Sequence, residues 1–131
     1  MTAKTVFSGT THNTPGANGA AVSSDGFLDL KLSQPHPAAE NLFGAAWSAC
    51  YQGAIEIVAA QRKITLPEDR FVDARIDLNL DGGAYVLAAR LDVGLPGLDR
   101  DVAETVIHAA HEICPYSKAV RGNIAVETNL I

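Results

Sequence analysis

Cysteine is scarce in this sequence, with Cys50 and Cys114 as the two thiols among 131 residues. So few cysteines exclude a disulfide scaffold, the usual framework of small secreted domains. The chain does not need one, because 47% of its residues are hydrophobic and a domain of this length buries roughly two thirds of the surface that its unfolded chain exposes. We therefore expect one globular domain over residues 1–131, in which the two cysteines are either inert core thiols or chemically active groups.

Positive charge is also scarce, since 10 Lys and Arg stand against 15 Asp and Glu and the formal net charge is −5. Binding to nucleic acid or to anionic membranes requires clustered basic residues. The first residues lack the basic and then apolar pattern of a signal peptide, and the longest uncharged stretch, 41–55, is interrupted by Gly, Ser and Gln. These absences predict a cytoplasmic protein that binds neither nucleic acid nor membrane.

The sequence lacks the motifs of nucleotide-binding proteins and of serine hydrolases. The glycines at 16 and 19 lead into a predicted strand rather than into a helix, so they do not form a phosphate-binding loop. Ser48 does not lie in a Gly-x-Ser-x-Gly elbow, which leaves a hydrolase triad unsupported. We expect no bound cofactor.

What the sequence does contain is a clear succession of strand and helix patterns. Asp25-Gly26 and Asp81-Gly82-Gly83 are hairpin turns, Asp99 is a helix N-cap, and Pro115 ends the second helix. These signals predict strands at 2–11, 20–26, 27–32, 71–80, 85–93 and 123–130, and helices at 38–63 and 99–113. The order βββαββαβ indicates an α+β fold, with antiparallel hairpins packed on helices.

The first helix is the longest predicted element, and it carries one apolar stripe. Gly and Ala flank this stripe, and so many small side chains predict that another backbone packs very close to the helix. A central buried helix fits this pattern best. The stripe follows helical spacing through Phe43, Trp47, Cys50, Ala54 and Ile57.

Cys50 and Cys114 admit two interpretations from the residues alone. If the two helices pack together, one thiol can attack as a thiolate and the other can resolve the product into a disulfide. Alternatively, both are inert, because free cysteine is among the most buried residue types and an apolar stripe is an ordinary place for it.

A metal site is a further candidate, since His108, His111 and Cys114 lie three residues apart on the second helix. Histidines near a helix C-terminus that are stabilised by the helix dipole are the simpler interpretation. Glu40 opens the long helix, where the dipole favours an anion, but ten residues of helix separate it from Cys50 by about 15 Å. A site that joins Glu40 and Cys50 therefore requires another segment or a second subunit.

Several strings of the sequence together resemble the organic hydroperoxide resistance proteins of the OsmC-like superfamily. The match runs in order over nearly the whole chain, and the Cys-Pro-Tyr-Ser and Arg-Gly-Asn-Ile strings near its end are the most specific. The matching strings are Val22-Ser23-Ser24-Asp25-Gly26, Leu28-Asp29-Leu30-Lys31-Leu32-Ser33, Glu40-Asn41-Leu42-Phe43, Ser48-Ala49-Cys50, Leu95-Pro96-Gly97-Leu98-Asp99-Arg100, Ala110-His111-Glu112-Ile113-Cys114-Pro115-Tyr116-Ser117 and Arg121-Gly122-Asn123-Ile124.

The resemblance implies a thiol peroxidase. It implies that Cys50 is the peroxidatic cysteine, that Cys114 is the resolving cysteine, and that Glu40 is the site glutamate. It also implies antiparallel sheets packed on a long central helix in an intertwined homodimer, so that Glu40 of one chain approaches Cys50 of the other. The implied partners are an alkyl or fatty-acid hydroperoxide as substrate and a dithiol or a lipoyl protein as reductant.

Two departures from the family pattern lie in the loops. Ala17 stands where the family has an arginine that pairs with the glutamate and lowers the pKa of the attacking thiol. The stretch 34–39 is shorter than the family's glycine-rich loop. His12 and His36, beside these departures, are candidate substitutes for the missing cation. The alternative function is a dimer without catalysis that binds a lipid-like or thiol ligand or senses oxidation.

Overall fold

The computed structural model describes residues 2–131, which form six strands and three helices. The chain divides into two compact units, Met1–Ala39 and Glu40–Ile131. The expectation that residues 1–131 form a single domain stays a prediction. The elements are β1 (Thr11–Thr14), β2 (Ala20–Ser23), β3 (Asp29–Lys31), α1 (Ala38–Gln61), β4 (Phe71–Asp81), β5 (Ala84–Gly94), α2 (Arg100–Ile113), α3 (Pro115–Val120) and β6 (Ala125–Leu130).

The first unit contains an antiparallel sheet with the strand order β1-β2-β3. The predicted turn at Asp25 and Gly26 is confirmed, since the Gly26 N–H donates to the Ser23 carbonyl at 2.9 Å. The first strand was predicted wrongly at 2–11, because residues 2–10 form no regular element and β1 begins at Thr11. The loop after Thr14 turns the chain from β1 into β2. Gly16 has φ +86° in this loop, and its carbonyl accepts from the Gly19 N–H.

The second unit contains a mixed sheet with the strand order β4-β5-β6. Gly82 and Gly83, with φ values of +56° and +85°, close the β4-β5 hairpin as a two-residue turn, and the pairing is antiparallel as predicted. β6 departs from the predicted antiparallel arrangement, because it pairs with β5 in parallel. The α2 and α3 helices lie between these two strands in the chain and supply the long connection that a parallel pair requires.

The core of the second unit lies among α1, α2 and β5. On α1 its largest fully buried side chains are Trp47, Tyr51 and Ile55. The predicted stripe is therefore wrong at its end, since Ile57 is 52% exposed and Tyr51 was not included. Because Ala and Gly surround the larger apolar residues of α1, helical spacing alone does not determine which of two neighbouring stripes is buried. Among residues 2–131, no helix is long and apolar enough to cross a membrane.

The close approach predicted for α1 is found at Gly44. A Cβ atom at this position would lie 3.3 Å from the Ala74 Cβ and 3.4 Å from the Ile76 Cγ1 of β4. The small residues on this part of α1 therefore let the helix rest directly on the sheet.

The chain after α2 forms one short helix that the sequence did not predict. The Asp99 side chain accepts hydrogen bonds from the Asp101 and Val102 N–H groups, which confirms it as the N-cap. After Cys114, however, Pro115 opens the short helix α3. Proline ends one helix and is favoured at the first position of the next, so the same residue has both effects here.

We expect Gly44→Leu to destabilise the protein by about 1–3 kcal/mol, because the added side chain has to displace Ala74 or Ile76. Urea unfolding measures the change. Ala60→Leu, at an exposed position of the same helix, is the control and should change the free energy of unfolding by less than about 0.5 kcal/mol. Equal effects of the two substitutions would contradict a tight contact between α1 and β4.

Candidate functional site

The two cysteines come together at the contact between α1 and the α2–α3 corner. Cys50 is partly buried in the middle of α1, whereas Cys114 is completely buried between α2 and α3. Both are free thiols, and they lie close enough for Cys114 to raise the pKa of the Cys50 thiol. The structure therefore brings together the two thiols that the sequence offered as either a pair or inert residues.

The surroundings of Cys50 disfavour its thiolate. Burial has the largest effect and raises the pKa of the Cys50 thiol above its ordinary value. The backbone N–H of Tyr116 donates to the sulfur and lowers this pKa, while the neighbouring Cys114 raises it further. Among the residues that the structure describes, none of the groups that shift this pKa is a cation.

Glu40 lies on the same helix as Cys50. Both residues belong to the uninterrupted helix α1, so the ten residues between them correspond to about 15 Å along the axis. Within one chain, the Glu40 carboxylate is therefore too far from the Cys50 thiol to contact it, as the sequence predicted. The participation of Glu40 in a shared site stays a prediction.

Two aromatic residues of α1 connect the surroundings of Cys50 to those of Cys114. The Trp47 Nε1–H donates to the Ser117 Oγ at 3.1 Å, and the Tyr51 hydroxyl donates to the Ile107 carbonyl at 3.0 Å. The Tyr51 ring also stacks on the imidazole of His111, with 4.3 Å between the ring centroids and 25° between the planes. These contacts fix α1 against both sides of the α2–α3 corner.

His111 is the centre of a polar network that the sequence did not reveal. Its Nδ1 lies 2.9 Å from the Ser117 Oγ, and its Nε2 lies 2.8 Å from the Thr128 Oγ1 on β6. Burial and the charges of His108 and Arg121 lower the pKa of His111, which favours the neutral ring. The one feature of the sequence that could have indicated this network is the placement of His111 and Ser117 three residues before and after Cys114.

This network contradicts the metal hypothesis for His108, His111 and Cys114. Both nitrogens of His111 have hydroxyl partners. The side chain of His108 is 73% exposed and lies 3.6 Å from Glu104. A spacing of three residues places these side chains on neighbouring parts of the helix surface, but here His108 is exposed while Cys114 is buried. Within residues 2–131, no group of three metal-ligating side chains converges.

A cavity of about 300 Å³ adjoins this network. Its walls come from the residues around His111 rather than from the two cysteines. Arg121 lines it, but this side chain already donates to the His111 carbonyl at 2.7 Å and lies 3.7 Å from Glu112. The other lining residues with polar side-chain groups are Trp47, His111, Glu112, Ser117 and Thr128.

Comparison with known proteins identifies the family. A family model described as OsmC-like protein matches residues 32–129. An organic hydroperoxide resistance protein of Xanthomonas axonopodis pv. citri is 39% identical over 126 residues, which cover 89% of each chain. The chain therefore belongs to the OsmC-like family, and the resemblance inferred from its sequence is confirmed.

Solved structures share the fold over almost the entire chain. The organic hydroperoxide resistance protein of Bacillus subtilis is 36% identical, with a TM-score of 0.84, and the match covers 95% of this chain and 98% of that one. The organic hydroperoxide resistance protein of Elizabethkingia anophelis is 30% identical, with a TM-score of 0.87 and 98% of each chain covered. The predicted α+β OsmC-like fold is thereby confirmed.

The lowered pKa of His111 gives an expected pH dependence of stability. The unfolded chain takes up a proton at this residue near pH 6.5, whereas the folded chain does so only at lower pH. The contribution of His111 to the free energy of unfolding is therefore complete above pH 6.5. It is lost as the pH falls below this value, by at most about 1.4 kcal/mol per pH unit. Between pH 7.5 and pH 5.5, urea unfolding should show a smaller decrease in the free energy of unfolding for His111→Gln than for the wild type. His108→Gln serves as the control, and a loss in His111→Gln as large as that of the wild type would contradict this assignment.

Proposed function

We propose that the protein is a thiol peroxidase that reduces organic hydroperoxides to alcohols. Cys50 is the attacking cysteine and Cys114 is the resolving cysteine. The observation that best supports this proposal is the proximity of the two thiols, through which Cys114 raises the pKa of Cys50, in a chain with no other cysteine. The names of the relatives, organic hydroperoxide resistance proteins, support the choice of substrate.

The reaction proceeds in two steps at the sulfur of Cys50. The Cys50 thiolate attacks the distal oxygen of the hydroperoxide, the O–O bond breaks, and the alkoxide leaves as the alcohol after taking up a proton. The resulting sulfenic acid is then attacked by the sulfur of Cys114, so that a disulfide forms and water leaves. The two thiols thus supply two electrons, and a dithiol, which includes a protein-bound dihydrolipoyl group, reduces the disulfide.

The substrate class follows from the apolar surroundings of Cys50. Phe43 and Ile57 lie seven residues before and after Cys50 on α1, so they follow the same stripe of the helix. Phe43 is only partly buried, and Ile57 is largely exposed. An alkyl or fatty-acid chain can therefore cover apolar surface next to the thiol.

A homodimer completes the proposed site. Glu40 and Cys50 are too far apart along α1 to meet within one chain, whereas an antiparallel α1 of a second copy brings its Glu40 next to Cys50. The exposed Ile57 gives α1 an apolar surface for such a partner. We place the dimer in the cytoplasm, where free thiols stay reduced.

A second candidate function is supported by the raised pKa of Cys50 and by Ala17 at the family's arginine position. A thiol that is mostly protonated at neutral pH reacts slowly with peroxide. In this alternative the same dimer binds a lipid-like or thiol ligand, or senses oxidation, without turnover.

Turnover separates the two functions. With cumene hydroperoxide and dihydrolipoamide, we expect the wild-type protein to consume peroxide catalytically and Cys50→Ser to lower the rate to the uncatalysed level. Without the dithiol, Cys114→Ser should still reduce about one equivalent of peroxide per chain, because Cys50 is intact. Peroxide loss is followed in steady state, with intact-protein mass spectra of the products. A wild-type rate equal to the uncatalysed rate would exclude the peroxidase and leave the binding or sensing function.

The raised pKa of Cys50 predicts the pH profile of the first step. Only the thiolate attacks, so below this pKa the rate constant of peroxide reduction by Cys114→Ser should rise about tenfold per pH unit. Ultraviolet absorbance of the thiolate in the same variant gives the pKa directly, and the two curves should share a midpoint above the ordinary cysteine value. A rate that is constant between pH 6 and 8 would show that the thiol is already ionised, contrary to its surroundings here.

A further inference from the structure

The two thiols lie between two contacts that join α1 to the α2–α3 corner. Trp47, three residues before Cys50, contacts Ser117, three residues after Cys114. Tyr51, the residue after Cys50, stacks on His111, three residues before Cys114. Because one contact lies on each side of the cysteines, these four side chains hold the two cysteine-bearing segments together.

His111 is the member of this group that touches every element around Cys114. Trp47 can only donate, so the Ser117 oxygen accepts from it and the Ser117 hydroxyl proton is available for the His111 Nδ1. If Ser117 donates to Nδ1, the ring proton resides on Nε2 and is donated to Thr128. In this arrangement α1, α3 and β6 all hold the neutral imidazole in one orientation.

The segment that His111 supports is the least regular part of the site. Cys114 has extended backbone angles, with φ −64° and ψ 119°, and belongs to the interior of neither helix. The hydrogen bond between His111 and Ser117 spans six residues and closes over this corner. The Cys114 N–H donates to the Ala110 carbonyl at 2.8 Å, and its carbonyl accepts from the Lys118 N–H at 3.0 Å, so the backbone of Cys114 is held by both helices. The brace formed by the His111 and Ser117 side chains acts across the bend between these helices and so helps to fix the direction of the Cys114 side chain.

The geometry points to His111 as a positioning residue for disulfide formation, which it favours by holding the Cys114 sulfur next to Cys50. This inference rests on the proposed function for its role in turnover. The Cys50 sulfenic acid has two fates. Attack by the Cys114 thiol gives the disulfide and water, whereas reaction with a second hydroperoxide gives the sulfinic acid and an alcohol. Because the first reaction is intramolecular, a well-placed Cys114 favours the disulfide.

His111→Phe is the decisive variant, because it keeps an aromatic ring for Tyr51 and removes both hydrogen bonds. His108→Phe is the matched control, since His108 lies on the same helix but is exposed. Val106→Ala controls for stability, because it opens the core of α2 without altering a group of the brace. His111→Asn retains an amide able to bond Ser117 and should recover part of the effect.

The first measurement requires no peroxide. Equilibration with reduced and oxidised glutathione gives the effective concentration of the Cys50 and Cys114 thiols. We expect this value to fall about tenfold or more in His111→Phe, to change less than about twofold in His108→Phe and Val106→Ala, and to lie between these limits in His111→Asn. An unchanged value in His111→Phe, or an equal fall in Val106→Ala, would overturn the positioning role.

The second measurement separates the two steps with cumene hydroperoxide in rapid-quench experiments. In the Cys114→Ser background, His111→Phe should leave the rate of sulfenic acid formation within about twofold of its parent. With both cysteines present, His111→Phe should form the disulfide more slowly and accumulate sulfinic acid when peroxide is in excess. Slowing of the first step alone would overturn the inference. If the wild type equilibrates with glutathione but does not react with peroxide, the proposed function fails, and the glutathione result alone decides the positioning role.

Discussion

The structure of the site depends on the contact between the middle of α1 and the α2–α3 corner. Trp47 and Tyr51 are completely buried in a chain with only 6% aromatic residues, and each also makes a hydrogen bond across this contact. Burial of two large rings supplies a large apolar area, while their polar atoms bond to the facing elements and orient the rings. Cys50 lies between these two anchors, so its distance from Cys114 is set by packing on both sides.

This arrangement favours proximity of the thiols over acidity of Cys50. The same burial that brings the sulfurs together raises the pKa of Cys50, and the sulfur of Cys114 adds to the effect. The Tyr116 N–H acts in the opposite direction because it stabilises the thiolate. The pKa of Cys50 is thus set by two opposing effects, since desolvation raises it and the backbone donor lowers it. A cation supplied from elsewhere would therefore have a large influence on the reactivity of this thiol.

Local signals predicted those parts of the fold that local interactions determine. Gly82 and Gly83 specify the hairpin through their positive φ values, and Asp99 specifies the start of α2 through its side-chain hydrogen bonds. The place of Tyr51 in the buried face of α1, the parallel pairing of β6 and the short helix after Pro115 were not predicted, because each depends on contacts distant in sequence or on a proline with two opposite effects.

The same distinction applies to the candidate site. The cysteines were found by their type and by the resemblance, and the structure shows that they meet. The network of His111 was not found, because its partners Tyr51 and Thr128 belong to α1 and β6 and approach only in the folded chain. The spacing of His108, His111 and Cys114, three residues apart, suggested metal binding, and only the tertiary contacts contradict it.

The hydrogen bond from Trp47 to Ser117 joins residues that are 70 positions apart. Closing so long a loop costs more conformational entropy than forming a local turn or a helix. During synthesis Cys50 leaves the ribosome well before Cys114 exists, and it remains a solitary thiol until most of the second unit has been made. An unfinished chain that ends before Cys114 therefore lacks the thiol that lies beside Cys50 in the folded protein.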